Sequence, residues 1–169
     1  GYPPGYVRAR LESAGILLHR STPHGIEVLL VHPGGPFFAR KDLGAWSIPK
    51  GEAEEGEELL AVAHRELAGG TGFTADGPEL PLGQVRQSGG KVVHAWAVRG
   101  DADPSHLRSN TFELEWPPKS GRVQRFPEVD RALWADPATA RVKLNPHQVP
   151  FVDRLLDALS ADDLGRPRG

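Results

Sequence analysis

The 169-residue chain has no cysteine, so disulfides, thiolate metal sites and cysteine nucleophiles are all excluded. It has no methionine either, and Gly1 is therefore expected to follow a removed initiator or a cleaved tag. No apolar run approaches the roughly 18 residues of a membrane-spanning helix, and no basic-then-apolar leader opens the chain. A cytoplasmic protein with no membrane partner is the expectation. Excess charge is also lacking: 20 Lys and Arg against 22 Asp and Glu leave a formal charge of -2. That balance carries no strong nucleic-acid signal, and nothing in it fixes an oligomeric state. Aromatic residues are few, so Tyr6, Phe37, Phe38 and Trp46 are expected to serve packing before they serve stacking on a base. The histidines never fall at H-x-x-x-H, which leaves His64 and His94 as ordinary side chains.

What is present reads as one mixed α/β domain, since the length suits a single core better than two. Residues 1–11 are expected to form an extended arm rich in turn residues, 12–159 the domain, and 160–169 a fraying tail. Two apolar runs, 13–20 and 26–33, flank the polar connection 21–25 and predict a hairpin of buried strands. A Gly- and Pro-bearing loop covers 33–44. From Glu57 to Leu67 the pattern is helical, with Leu59, Leu60, Ala63 and Leu67 on one stripe and acidic residues crowding the N-terminal side. Gly72 is placed to end this helix in a left-handed cap. Further strands are predicted at 81–87, 91–98, 111–116 and 129–134, and helices at 138–142 and 146–159. In 111–116 the apolar Phe112, Leu114 and Trp116 alternate with Glu113 and Glu115, which read as a solvated strand face.

The segment 51–73, GEAEEGEELLAVAHRELAGGTGF, carries the chemistry. On a helix, positions i, i+3 and i+4 share a face. Here that face holds Glu66, Gly69 and Gly70. Gly51, Glu57, Arg65, Glu66, Leu67, Gly72 and Phe73 stand at the spacings of the Nudix box, G-x5-E-x7-R-E-U-x-E-E-x-G-U, where U is a bulky apolar residue. The chain thus resembles the Nudix hydrolases at seven of nine fixed positions. Gly69 and Gly70 occupy the other two, where that family carries paired glutamates that hold divalent metal.

The resemblance continues on both sides of the box. WSIPKGE, from Trp46 to Glu52, is similar to the segment that leads into the box in many Nudix hydrolases. FPEVDRALW, from Phe126 to Trp134, is similar to the family segment in which a glutamate precedes a tryptophan by six residues. Together they cover roughly residues 12 to 158.

This resemblance implies an α/β/α sandwich with a mixed β-sheet between helices. It implies hydrolysis of a nucleoside-diphosphate-linked substrate, an NTP or a dinucleoside polyphosphate, through a metal-activated water. Glu66 would bind metal with help from the Gly51 carbonyl. Glu128 would bind metal or act as base, and Glu57 would support the catalytic set. Arg65 would orient the helix carboxylates. Lys50 would hold phosphate, with Arg40 and Lys41 as a basic rim. Mg²⁺ or Mn²⁺ is the implied cofactor, bound weakly or carried in by substrate, because two of three clustered carboxylates are missing. The rival expectation is a nucleotide-binding module of the same fold whose catalysis has been lost.

Overall fold

The computed structural model describes residues 11–165. The expected N-terminal arm, apart from Leu11, and residues 166–169 of the tail lie outside the described residues. The strongest apolar run builds the centre of the fold. β1 (Glu12–Thr22) is buried along most of its length on both faces. A strand apolar on both faces needs cover on both sides. It pairs antiparallel with β2 (Gly25–Pro33), the hairpin expected from the two runs.

The other strands are β3 (Lys50–Glu52), β4 (Leu80–Arg86), β5 (Val92–Arg99), β6 (Thr111–Glu115), β7 (Val123–Pro127) and β8 (Val129–Ala135). The main sheet runs β4-β5-β1-β2-β8, with β3 pairing antiparallel to β1. Among the described strands only β1 and β5 run parallel, so the sheet is mixed. Among the described residues three α-helices complete the order: α1 (Leu59–Thr71), α2 (Pro137–Lys143) and α3 (Val149–Gly165).

Two apolar cores lie on opposite faces of the sheet. On one, Ile16, Leu18, Leu29 and Val98 meet Val62, Ala63 and Leu67 of α1. On the other, Leu17, Val28 and Leu30 meet Ala140 of α2 and Phe151, Val152 and Leu155 of α3. Alternation along β1 sends Ile16 and Leu18 to one face and Leu17 to the other. The result is the expected α/β/α sandwich. Among the described residues, no helix is long and apolar enough to cross a membrane.

The structure corrects several expected boundaries. α1 starts at Leu59, not at Glu57. Glu57 stays outside because its own N–H donates to the Glu54 carbonyl while its carboxylate accepts from the Glu54 N–H. The acidic run therefore forms a turn before the helix, and no acidic side chain lies in the first turn. At the other end Gly72 adopts φ 78° and donates to the Ala68 carbonyl, as its position predicts. Gly69 and Gly70 thus sit inside the helix. The segment 146–159 divides: Pro146–Gln148 is a single 3₁₀ turn, capped by Asn145, and α3 then continues to Gly165.

Strand β6 has the expected alternation but belongs to a separate two-stranded ribbon. Its partner β7 was not legible in the sequence, because Val123 to Arg125 are all exposed and show no apolar alternation. Glu113 pairs across this ribbon with Arg125 at 3.2 Å, in keeping with a solvated face.

Candidate functional site

Three segments far apart in sequence converge beside the end of α1. The first is the lead-in to β3. Gly15 on β1 has no room for a Cβ, which would stand 2.5 Å from the Pro49 carbonyl oxygen and 2.8 Å from the Lys50 Cβ. That close approach lets the Ile16 N–H donate to Pro49 O at 3.1 Å and fixes Lys50 and Gly51 against the sheet. The second is the α1 face carrying Glu66 and Gly70. A Cβ on Gly51 would overlap the Glu66 carboxylate, so the glycine is what lets that side chain lie across the β3 backbone.

The third segment is the junction between β7 and β8. Its backbone is held from two sides: the Glu128 N–H donates to Asn110 O at 2.8 Å, and the Gly34 N–H donates to Glu128 O at 2.9 Å. The next residue, Val129, donates to the Ser109 hydroxyl at 2.9 Å. Gly34 is again a steric necessity, since a Cβ there would overlap the Pro127 carbonyl.

Between these segments lies a cleft of about 200 Å³ whose walls include Lys50, Glu66, Gly70 and Glu128. Its electrostatics follow from the crowding. Burial, and then the charge of Glu66, push the Glu128 carboxyl above its ordinary value. Glu128 is exposed as a residue, so the desolvation falls on the part turned into the cleft. Lys50 moves down, first through burial and next through Lys91, with Glu52 and Glu66 pulling the other way.

The remaining expected residues fall around the cleft. Glu57 forms an ion pair with Arg65, and this holds its carboxyl below the usual range. Arg65 also lies 3.5 Å from a Glu66 oxygen, so one guanidinium spans both acids. Arg40 and Lys41 are exposed on the loop between β2 and β3 and are not among the residues that line the cleft. Lys41 stands 5.2 Å over the Phe38 ring, and its carbonyl lies 2.7 Å from the Nε2 of the buried His32.

Among the described residues, no group of three or more His, Cys, Asp or Glu side chains could enclose a metal. Glu66, Glu128 and the Gly51 carbonyl nevertheless suit a hard cation that shares its shell with substrate phosphates. Mg²⁺ is commonly held by only one or two protein carboxylates in that way.

Sequence reasoning missed Asn110, Gly34 and Ser109, which support Glu128. No spacing rule marks them, because each acts across a long sequence separation.

The NUDIX domain model matches residues 9–155, most of the chain. The chain belongs to the Nudix family. The Nudix fold recurs in solved structures at low identity. An Ap4A hydrolase from C. elegans, as a binary complex, is 18% identical with a TM-score of 0.62 over 88% of this chain and 98% of that one. The NUDIX domain of NrtR from Shewanella oneidensis, complexed with ADP ribose, is 19% identical with a TM-score of 0.64 over 94% of each chain. RenU, a Nudix hydrolase from M. smegmatis, is 21% identical with a TM-score of 0.57, covering 94% of this chain and 96% of that one. No curated protein matches the chain in sequence.

Proposed function

We propose that this Nudix protein hydrolyses the diphosphate linkage of a nucleotide derivative, an NTP or a dinucleoside polyphosphate, with a depleted metal site completed by the substrate. The observation that carries this reading is the convergence of Glu66, Glu128 and Lys50 on one cleft. When bound, Mg²⁺ or Mn²⁺ supplies charge neutralisation on phosphate and acidification of a water. Glu66 and the Gly51 carbonyl would hold it. Glu128, with its raised carboxyl, is suited to take the proton from the attacking water. Lys50 receives phosphate charge. Glu57 acts through Arg65 on the orientation of Glu66, and Arg40 and Lys41 provide a basic approach outside the cleft. The Ap4A hydrolase and the ADP-ribose complex among the structural relatives favour a nucleoside-diphosphate group as the shared recognition element.

A second reading rests on a specific observation. The space beside Gly69 is filled by the Asn110 amide, so part of the box face is occupied by a neutral group. A cleft adapted in that way suits nucleotide binding without turnover.

Product release from a panel of nucleoside triphosphates, dinucleoside polyphosphates and nucleotide sugars, with Mg²⁺ and with Mn²⁺, decides between the two. Metal-dependent release of a nucleoside monophosphate supports hydrolysis. Binding with no product on any substrate removes the hydrolase reading and leaves the binding module.

A further inference from the structure

A second cavity of about 170 Å³ joins the cleft through Pro33, Ser47 and Lys50, which line both. Its walls add Phe38, Trp46, Gln87, Asn145 and Gln148. This volume is below the roughly 300–1,000 Å³ of sites that take a whole drug-sized ligand, so it suits one fragment of a substrate.

The polar side chains here are oriented by a relay that begins at the backbone. Gln148 is buried, and its Oε1 must be the atom facing the Ile48 N–H, 2.9 Å away, because a peptide N–H only donates. Its Nε2 then faces outward and donates to the Ser47 hydroxyl at 3.0 Å and to Gln87 Oε1 at 2.9 Å. That contact fixes Gln87 in turn: the oxygen is used, and the NH₂ group is left. Asn145 is fixed by the same logic, since its Oδ1 accepts from the His147 N–H at 3.0 Å. Among the described residues, neither Gln87 Nε2 nor Asn145 Nδ2 has an acceptor. The Ser47 hydroxyl adds no donor, because it donates to the Ile48 carbonyl at 2.7 Å.

Gln87 and Asn145, each with an NH₂ group left over, thus line the cavity together with Lys50, Phe38 and Trp46, and no carboxylate is among its walls. Such a surface matches a flat heterocycle whose edge presents acceptors. We propose that this cavity is a base-reading pocket that selects 6-oxopurine nucleotides over adenine nucleotides. The inference rests on the nucleotide reading above. A 6-oxopurine turns O6 and N7, both acceptors, toward the amides, whereas adenine brings an N6 amino donor against donors. A site built to hydrogen-bond one edge rejects the mismatched edge because buried polar groups lose their partners.

Inosine and adenosine triphosphates share their sugar and phosphates and differ only at the six position and N1, so they isolate the effect. Calorimetric titration of the full chain with each, in the presence of Mg²⁺, is expected to give at least about tenfold tighter binding of the inosine nucleotide, equivalent to 1.4 kcal/mol. Gln87→Glu still accepts the Gln148 amide but replaces the free NH₂ with an oxygen. Asn145→Asp likewise keeps the His147 cap. Each is expected to lower the inosine-to-adenosine affinity ratio by about tenfold, and a ratio is insensitive to a general loss of affinity. Equal affinities in the native chain, with ratios unmoved in both variants, overturn the base-reading pocket and leave nucleotide binding standing. Inorganic tripolyphosphate binding as tightly as inosine triphosphate also overturns it, since the cavity then takes no base. No binding of any of the three overturns both this inference and the nucleotide reading beneath it.

Discussion

The Asn110 N–H donates to the carbonyl of Gly69 at 2.7 Å, and the side-chain amide of the same asparagine lies 2.7 Å from where a Cβ on Gly69 would stand. The glycine thus makes room for a neighbour. It admits a neighbouring segment onto the end of α1, where Arg108 also donates to the Thr71 carbonyl at 2.8 Å. Because Asn110 in turn accepts from the Glu128 N–H, one line of backbone hydrogen bonds joins the helix end to the cleft wall. Gly70 differs: the nearest atom to a Cβ there is Val129 Cγ2 at 3.9 Å, ordinary contact distance.

The two glycines should therefore respond unequally to restoration. Gly70→Glu adds a carboxylate where there is room and removes a helix-interior glycine, a propensity gain of up to about 1 kcal/mol. Its metal-dependent turnover is expected to rise at least about tenfold, which corresponds to 1.4 kcal/mol of transition-state stabilisation. Gly69→Glu must first push the Asn110 amide aside, so a smaller gain in turnover and in melting temperature is expected. Steady-state rates across a Mg²⁺ titration, paired with thermal melts of both variants, would show this order. A larger gain from Gly69→Glu would contradict it.

Glu66→Gln and Glu128→Gln keep shape while removing the charges that face the cleft. Each is expected to reduce turnover by about 10²-fold or more, the scale on which single electrostatic stabilisers act. Glu57→Gln acts only through Arg65 and is expected to do much less. Rates for the three variants at saturating Mn²⁺ make the comparison. If Glu57→Gln proved the most damaging, the roles assigned here would be reversed.

The shifts at Glu128 and Lys50 have opposite signs in pH. Burial and Glu66 raise the folded-state pKa of Glu128, so the folded chain binds its proton more tightly than the unfolded chain. The resulting stability is present in acid and lost as pH rises through the raised value. Glu128→Gln should accordingly raise the melting temperature at neutral pH and leave it unchanged in acid. Lys50 is lowered, so its buried charge disfavours the fold at neutral pH, and this is relieved as pH climbs above the depressed value. Lys50→Met should stabilise at neutral pH while weakening phosphate binding. A melting series across pH for both variants tests each sign.

Gly51→Ala places a methyl group where the Glu66 carboxylate lies. Overpacking of this kind costs about 1–3 kcal/mol. Because the displaced group is also the acid proposed to hold metal, turnover is expected to fall with the melting temperature. Retained activity in a destabilised variant would show that Glu66 does not need its place against β3.

Much of the fold was legible because it rests on local patterns. The hairpin of β1 and β2, the apolar stripe of α1 and the Gly72 cap each follow from apolar spacing or a glycine within a short window. The turn at Glu57 was not legible, since the same acids that suit a helix start also suit a carboxylate folding back on the Glu54 N–H. Strand β7 was hidden for a related reason: it buries almost nothing, and its pairing with β6 alone defines it.

The sequence by itself determined the family, the helix that carries Glu66, and the glycine pair Gly69 and Gly70 one turn further along it. Those features lie within one or two turns of chain, where spacing dictates which side chains share a face. Only the tertiary structure decided that Asn110 fills the space beside Gly69, and that Gly34 and Asn110 hold Glu128 against the cleft. It alone also decided that Ile48, through Gln148, sets the amide of Gln87. Each of these depends on backbone donors and acceptors that meet across long stretches of sequence. A peptide group looks the same at every residue, so its partner is fixed by packing and not by spelling.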